Sequence, residues 1–386
     1  MSPWLAAARA VGAEIAARHA DDVDLRARFP AEAVTGLRDR QLLGLLVPST
    51  EGGAGAGIAD VVSICHELGR YCASTAMVYA MHQIQVACIV RHAGHNPWQR
   101  AFLRRLADGQ LLLASATSEA GAAGDVRSSI CALDEKRGRF TLVKQAPVIS
   151  YGEESDAILV TARRTAQSPP SDQVIVVVPR SGVELQPQET WNTLGMRGTC
   201  SRGYRLTAEG EMSQVIPVPY ADVSAQTMLP VSHLVWGALW LGIATDALGR
   251  ARAFVRAEAK KRPGETPLGA ARLAVAVNEL QTMKSNLLAC LRLYEAAIGS
   301  VDGPSAISLA VAMNNLKLGS SQSVVKIVGE AMLICGLAGY RNDSPFSLGR
   351  HLRDAHSAAV MVSNDRISAN NATLALALRD DLEPLA

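Results

Sequence analysis

Aromatic residues are scarce: Phe, Trp and Tyr together make up 4% of the 386 residues. A core without them is assembled from Ala, Leu, Val and Ile, and such small side chains mesh better between packed helices than across a β-sandwich. Charge of one sign is also missing. Lys and Arg total 38 against 36 Asp and Glu, so the chain carries no electrostatic footprint for nucleic acid or anionic lipid. Paired cysteines are absent: Cys65, Cys72, Cys88, Cys131, Cys200, Cys290 and Cys335 are odd in number and widely spaced, with no C-x-x-C. That pattern argues against a disulfide framework or a structural zinc site, and buried reduced thiols are expected. Adjacent Cys65 and His66 point in different directions on a helix, so packing rather than metal ligation is expected there. The most apolar stretch, Leu234 to Ala244, is shorter than the roughly 20 residues that cross a bilayer, and it reads as a buried helix. No charged-then-apolar export signal follows Met1, which leads to the expectation of a cytoplasmic protein without a membrane partner.

What the chain does have is 48% hydrophobic residues, ample for a core, arranged in three regimes. Residues 1–111 favour helices, interrupted by the Gly-rich turn from Glu51 to Gly57. Within 112–222, short β-branched runs such as Phe140–Val143, Ala157–Val160 and Val174–Val178 lie between Gly, Pro and Ser clusters and read as strands of a small sheet or barrel. Residues 223–386 show helical periodicity over Val231–Lys260, Leu268–Ile298, Ala306–Leu337 and a segment after Asn364. The order is α, β, α without βαβ alternation, which argues against a doubly wound nucleotide-binding fold. The Gly52–Gly57 cluster follows no strand, so it reads as a turn between helices rather than a phosphate loop.

Local motifs add to this plan. Leu42-Leu43-Gly44-Leu45-Leu46-Val47-Pro48 followed by Gly52-Gly53-Ala54-Gly55 resembles the GL-x-x-VP-x-x-x-GG-x-G opening of the acyl-CoA dehydrogenases. Ser118 to Asp125 lies over that family's TEP-x-AGSD, Ile149-Ser150 over its W-I-T, and Leu194 to Thr199 over its G-x-R-G-S loop. Cys335 to Tyr340 and then Arg353-Asp354-Ala355 resemble its GG-x-GY…RDA ending. The resemblance implies an α+β, mostly α fold: a helical N-terminal domain, a small middle β-domain and a C-terminal four-helix bundle. It also implies FAD, or FMN in a monooxygenase, held between the β-domain and the C-terminal helices. On that reading Ser115, Thr117 and Ser118 contact the isoalloxazine, while Ile149 and Ser150 border its other edge. Cys335 and Gly336 approach the flavin of a neighbouring subunit, and Asn364 stands at the Thr of the family's E-G-T motif. A homo-oligomer, tetramer or dimer, follows from such sharing.

The expected base is missing. Nine residues after Arg353, where most members carry the Glu that removes the α-proton, stands Val362. Ile367 keeps the register, and Asp365 reads as an ordinary helix-start residue. Some members place the Glu before a G-x-A motif; here Gly242-Ile243-Ala244 marks it, and the count back gives Ser232 and His233. His233, which titrates near neutrality in its free state, is the candidate base or oxyanion donor. Gly124 and Val148 replace a substrate-contacting Ser and a flavin-covering Trp, and no Arg matches the pyrophosphate contact, although Lys260, Lys261 and Arg262 are near. His82 lies where the family often has a His on a helix lining the site, and His356 directly follows the RDA motif, but both read rather as ordinary helix-end residues. The first expectation is α,β-dehydrogenation of an acyl thioester, CoA- or carrier-bound, with a non-standard base and an electron-transfer partner. The alternatives are a monooxygenase using reduced flavin from a flavin reductase on a small or aromatic substrate, and a non-catalytic scaffold.

Overall fold

A computed structural model describes residues 2–121, 127–299 and 306–378. The replacement at Gly124 lies outside the described residues. The chain begins with helices α1 (Pro3–Ala10) and α2 (Ala17–Arg26), joined by the π-helical Val11–Ala16, then α3 (Ala31–Asp39), α4 (Ile58–Gly69), α5 (Ala73–His92) and α6 (Pro97–Gly109). Starts and stops follow local chemistry. Ser2 accepts the Leu5 N–H at 3.3 Å ahead of Pro3, and Asn96 accepts the Trp98 and Gln99 N–H groups ahead of Pro97. The Gly-rich segment is a turn before α4, with Gly52 and Gly55 at positive φ.

Among the described residues seven strands follow: β1 (Leu113–Ala116), β2 (Asp134–Lys136), β3 (Arg139–Ile149), β4 (Ala157–Arg163), β5 (Gln173–Pro179), β6 (Val183–Glu189) and β7 (Arg202–Glu211). They form two sheets, ordered β1-β4-β5 and β2-β3-β7-β6. β3 alternates exposed and buried residues, as a strand with one wet face must, whereas β4 and β5 are buried almost throughout. β1 runs parallel to β4, and every other pairing is antiparallel.

The helices resume with α7 (Tyr220–Val223), the π-helical Ser224–Met228, α8 (Leu229–Lys261), α9 (Gly269–Gly299), α10 (Ala306–Cys335), α11 (Leu337–Tyr340), α12 (Gly349–Val360) and α13 (Asn364–Ala375). The apolar run is longer than Leu234–Ala244 suggests. Tyr220–Lys261 and Ala73–His92 both have the length and composition to cross a membrane, but 94% and 89% of their most apolar windows are buried within the protein. The burial resolves the ambiguity that length alone leaves.

The chain divides into two compact units. One comprises the residues up to Ile64 with Ser74–Thr193 and Arg197–Ser232; the other comprises Cys65–Ala73, Leu194–Met196 and the residues from His233. In the second unit α10 packs against α9, α12 and α13. The Gly of the G-x-A motif has a packing cause there. A Cβ on Gly242 would lie 2.3 Å from the His66 carbonyl oxygen, and one on Gly69 would lie 2.5 Å from that of Leu239. α4 and α8 therefore touch backbone to backbone, which only glycine permits. The loop Leu194–Met196 is pinned in the same unit: Asp354 accepts the Met196 N–H at 2.7 Å, and a Cβ on Gly195 would meet the Arg353 carbonyl at 2.2 Å. Two of the five motifs thus hold each other.

Candidate functional site

In the first unit, β1 places Ser115 opposite Leu159 and hands the chain to Thr117 and Ser118. Ser115 and Thr117 are half-buried, and their hydroxyls have no partner among the described residues. Ser118 donates to the Val148 carbonyl at 3.1 Å. That carbonyl lies where the β3–β7 ladder breaks, between Ala146 and Ile149, so it is available to a side chain. Ile149 is buried, and Ser150 begins a row of hydroxyls: Ser150 to Ser201 at 2.8 Å and Ser201 to Thr199 at 2.7 Å. Tyr151, at φ 42°, is held by its N–H on the Thr199 carbonyl and by its hydroxyl on that of Leu113. Ser115, Thr117, Ser118, Ile149 and Ser150 therefore gather along β1 and the broken end of β3.

A buried ion pair braces this edge. Lys144 meets Glu119 at 3.4 Å and also donates to the Thr161 carbonyl at 2.8 Å and its hydroxyl at 3.1 Å. Thr161 in turn donates to the Thr117 carbonyl at 3.4 Å. Burial pushes the Glu119 carboxyl up, but the Ser129 hydroxyl, the Lys144 charge and the N–H groups of Cys131 and Ile130 outweigh it and leave a carboxylate. His82 supports the same edge from α5. Leu113 N–H donates to its Nδ1 at 3.0 Å, so Nε2 carries the proton and donates to the Leu43 carbonyl at 2.8 Å. Both nitrogens are committed, and burial pushes its pKa down to about 4. His82 ties an N-terminal loop to a strand and has no proton to offer.

Of the two residues at the alternative base position, Ser232 belongs to the first unit and donates to the Met228 carbonyl of its own helix. His233 opens the second unit and differs. It is 1% exposed, and its Nδ1 donates to the Met313 carbonyl at 3.0 Å, leaving Nε2 a buried acceptor without a partner among the described residues. Burial, followed by the charge of Lys317, pushes its pKa down to about 4, so the imidazole is neutral at pH 7.

Lys317 is the residue that sequence reasoning missed. It is wholly buried on α10, and its ammonium donates to the Val362 carbonyl and to Asn364 Oδ1, each at 2.6 Å. Desolvation pulls its pKa down to about 8. The signal was a lysine inside the periodic run Met313–Ser321, whose neighbours at helical spacing are buried. Val362 itself sits at φ 49°, rare for a β-branched residue, with its side chain partly exposed. Asn364 is further engaged by Ser321 at 3.0 Å. Asp365 and His356 are exposed. Cys335, buried, ends α10, and Gly336 at φ 53° breaks the helix with nothing within 4 Å of its missing Cβ. The structure brings His233, Lys317, Val362 and Asn364 around α10; Cys335 and Gly336 stand at that helix's far end, more than four turns from Lys317 along the chain.

Cys65 is buried and its thiol is pushed far up by burial, while His66 faces the Thr245 hydroxyl at 3.3 Å. Lys261 and Arg262 are exposed and face Glu258 at 2.6 Å and Glu265 at 3.6 Å.

Helices first, two small sheets next and long packed helices last, with unpaired hydroxyls at one sheet edge, define a protein with the architecture of the acyl-CoA dehydrogenases and their flavin-dependent relatives. The models "Acyl-CoA dehydrogenase, N-terminal domain" and "Acyl-CoA dehydrogenase, C-terminal domain" match residues 4–110 and 223–369. The chain belongs to the acyl-CoA dehydrogenase family. It is 25% identical over 349 residues to the mitochondrial isovaleryl-CoA dehydrogenase of Solanum tuberosum, covering 88% of this chain and 81% of that one. It is equally 25% identical over 264 residues to the probable FMNH2-dependent monooxygenase SfnC of Pseudomonas putida, covering 67% and 63%. Among solved structures, FMN-bound TdsC from Paenibacillus sp. A11-2 superposes with a TM-score of 0.84 at 18% identity, over 98% of both chains. The relatives are thus both dehydrogenases and monooxygenases.

Proposed function

We propose that this chain is a flavin-dependent monooxygenase that receives reduced flavin from a separate reductase and oxygenates a small apolar or aromatic substrate. The observation that carries the reading is the fate of the base. The Val362 position has no carboxylate and its carbonyl is taken by the Lys317 ammonium; Ser232 is closed on its own helix; His233 keeps a free Nε2, but burial lowers its pKa to about 4 and makes it a weak base. In the second unit Asp246 is committed to Arg250 and His351 and Asp354 to Met196, while Asp365, three residues after Val362, faces solvent. Abstraction of an α-proton needs a poised base, whereas oxygen insertion does not. The FMNH2-dependent relative supports the same reading.

Residues of the first unit fit a flavin. Ser115 and Thr117 present half-buried hydroxyls without a partner among the described residues, and Ser150 heads a hydroxyl row able to pass a donated hydrogen bond outward. When bound, the reduced flavin supplies the two electrons that convert one atom of O2 to water while the other enters the substrate. The protein's part is to hold: the Glu119–Lys144–Thr161 brace fixes the strand end carrying Thr117. The FMNH2-dependent relative supports the mononucleotide FMN as the flavin. Leu337, Tyr340 and Val360, each more than 70% exposed in the second unit, support a homo-oligomer, dimer or tetramer.

The match to isovaleryl-CoA dehydrogenase over 88% of the chain favours acyl-thioester dehydrogenation as the second reading. One experiment separates the two. The purified protein is supplied with FMN, NADH and a flavin reductase under 18O2, and in parallel with FAD and an acyl-CoA panel without oxygen. Label entering an aromatic or sulfur-bearing substrate supports oxygenation; anaerobic bleaching of the flavin by an acyl-CoA refutes it.

A further inference from the structure

Two segments of the first unit meet at the broken end of β3. Ile149, its last residue, has Arg202 at the start of β7 as its register partner, and the Tyr151 N–H donates to the Thr199 carbonyl at 2.8 Å. Both segments pass through non-glycine residues in the left-handed region, Tyr151 at φ 42° and Cys200 at φ 46°. Such backbone persists only where its surroundings hold it. The residues beside these two, Ser150, Ser201 and Thr199, form the hydroxyl row. Ser201 Oγ stands in the middle, 2.8 Å from Ser150 Oγ and 2.7 Å from Thr199 Oγ1. All three residues are buried, Ser150 at 7% exposure. What sets the row apart is that nothing fixes its direction. Ser118 donates to the Val148 carbonyl and Ser155 to that of Gly152, and a carbonyl can only accept. Among the described residues the Ser150 and Ser201 hydroxyls meet only hydroxyls, which both donate and accept. Ser201 has one proton, so the row has two states. In one, Thr199 donates to Ser201 and Ser201 to Ser150, whose own proton is left unspent. In the other, Ser150 donates to Ser201 and Ser201 to Thr199, and Ser150 is left with lone pairs only.

We propose that Ser201 is a positioning residue, a reversible link that lets Ser150 donate to a flavin ring nitrogen in the oxidised form and accept from that nitrogen in the reduced form. The inference rests on the reading that residues of the first unit hold a flavin. Two-electron reduction turns an acceptor nitrogen of the isoalloxazine into an N–H donor, so a contact fixed in one direction suits one form only. A protein that takes up reduced flavin and releases it oxidised has to suit both. Without the Ser201 hydroxyl the two forms are no longer equivalent. Facing oxidised flavin, Ser150 still spends its proton on the ring nitrogen. Facing reduced flavin, it accepts from the N–H while its own buried proton has no acceptor, and that desolvated donor is costly. The loss falls on the reduced form.

The test is equilibrium binding of oxidised FMN, and of reduced FMN without oxygen, to the full chain, with the midpoint potential of the bound flavin measured by dye equilibration. Ser201→Val and Ser201→Thr share one shape and differ in the hydroxyl. Ser201→Val is expected to weaken reduced FMN about tenfold relative to oxidised FMN, which lowers the potential by about 30 mV for a two-electron couple. Ser201→Thr keeps the hydroxyl and should leave the ratio and the potential as in the wild type. Thr199→Val removes the acceptor at the other end of the row; it should lower the potential in the same sense and keeps the test valid if the variants at Ser201 fail to fold. Equal weakening of both forms, which lost packing alone would give, or an unmoved potential in a folded variant overturns the proposal. A wild-type chain that binds neither FMN nor FAD, oxidised or reduced, overturns it together with the flavin reading. A potential shift without 18O incorporation refutes oxygenation and leaves the row; 18O incorporation without the shift refutes the row and leaves oxygenation.

Discussion

Lys317 offers the sharpest physical test, because its ammonium is wholly buried against neutral acceptors. Its pKa lies near 8 in the folded chain against an ordinary value of 10.5. Below pH 8 both folded and unfolded states hold the proton, so this residue gives no pH dependence there. Between pH 8 and 10.5 the unfolded state keeps a proton that the folded state releases, so stability rises with pH through that window. The difference of 2.5 between the two pKa values corresponds to about 3 kcal/mol, fully present only above pH 10.5 and lost as pH falls through 8. Lys317→Met keeps the stem and removes the charge, at the cost of the hydrogen bonds to Val362 and Asn364. Its absolute stability at pH 7 mixes those losses with relief from desolvation, but the difference between wild type and variant isolates the titration. Melting followed by circular dichroism at pH 7, 8, 9 and 10 should show the wild type gaining on the variant by about 3 °C toward alkaline pH, at roughly 1 °C per kcal/mol for a chain of 386 residues. A difference that stays flat from pH 7 to 10 would refute the assignment of a desolvated ammonium at Lys317.

Other outcomes follow from the same reasoning. Gly242→Ala drives a methyl into the His66 carbonyl and should destabilise the chain by about 3 kcal/mol, read by urea unfolding, whereas Gly249→Ala, with open space around it, should be neutral or better. Glu119→Gln leaves the Lys144 ammonium buried without its carboxylate and should cost roughly 3–5 kcal/mol, with flavin affinity falling as the strand end loosens. Asp246, held near 2 by His351 and Arg250 against its burial, should contribute stability above pH 4 that is lost as pH falls toward 2. Asp246→Asn should flatten that acid limb in a pH series of melts, and an unchanged limb would exclude the pairing as its source.

Much of the fold was legible from the chain itself. Helical periodicity located α8, α9 and α10 to within a few residues, because long amphipathic or buried helices repeat a signal that local accidents do not erase. The three strand runs fell inside β3, β4 and β5 for the same reason, while α12 was missed, a short helix whose apolar positions make no long repeat. The motifs identified the family, and the valine at the base position was visible by counting. Burial and pairing were not, because they depend on residues far apart in sequence. Whether His233 was a core histidine or a residue with a free nitrogen turned on a carbonyl 80 residues away. That Ser232 closes on its own helix, that His82 spends both nitrogens on backbone, and that Asp354 holds a distant loop are likewise facts of packing. Lys317 shows the division most clearly. In sequence it is a cation on a helix, where solvent is the ordinary surroundings. Only the packing of α10 against α13 takes it out of water and gives it the Val362 carbonyl as a partner. Sequence determined the architecture and the loss of the usual base; tertiary structure decided which polar atoms are satisfied, since desolvation and hydrogen bonding are properties of the packed chain.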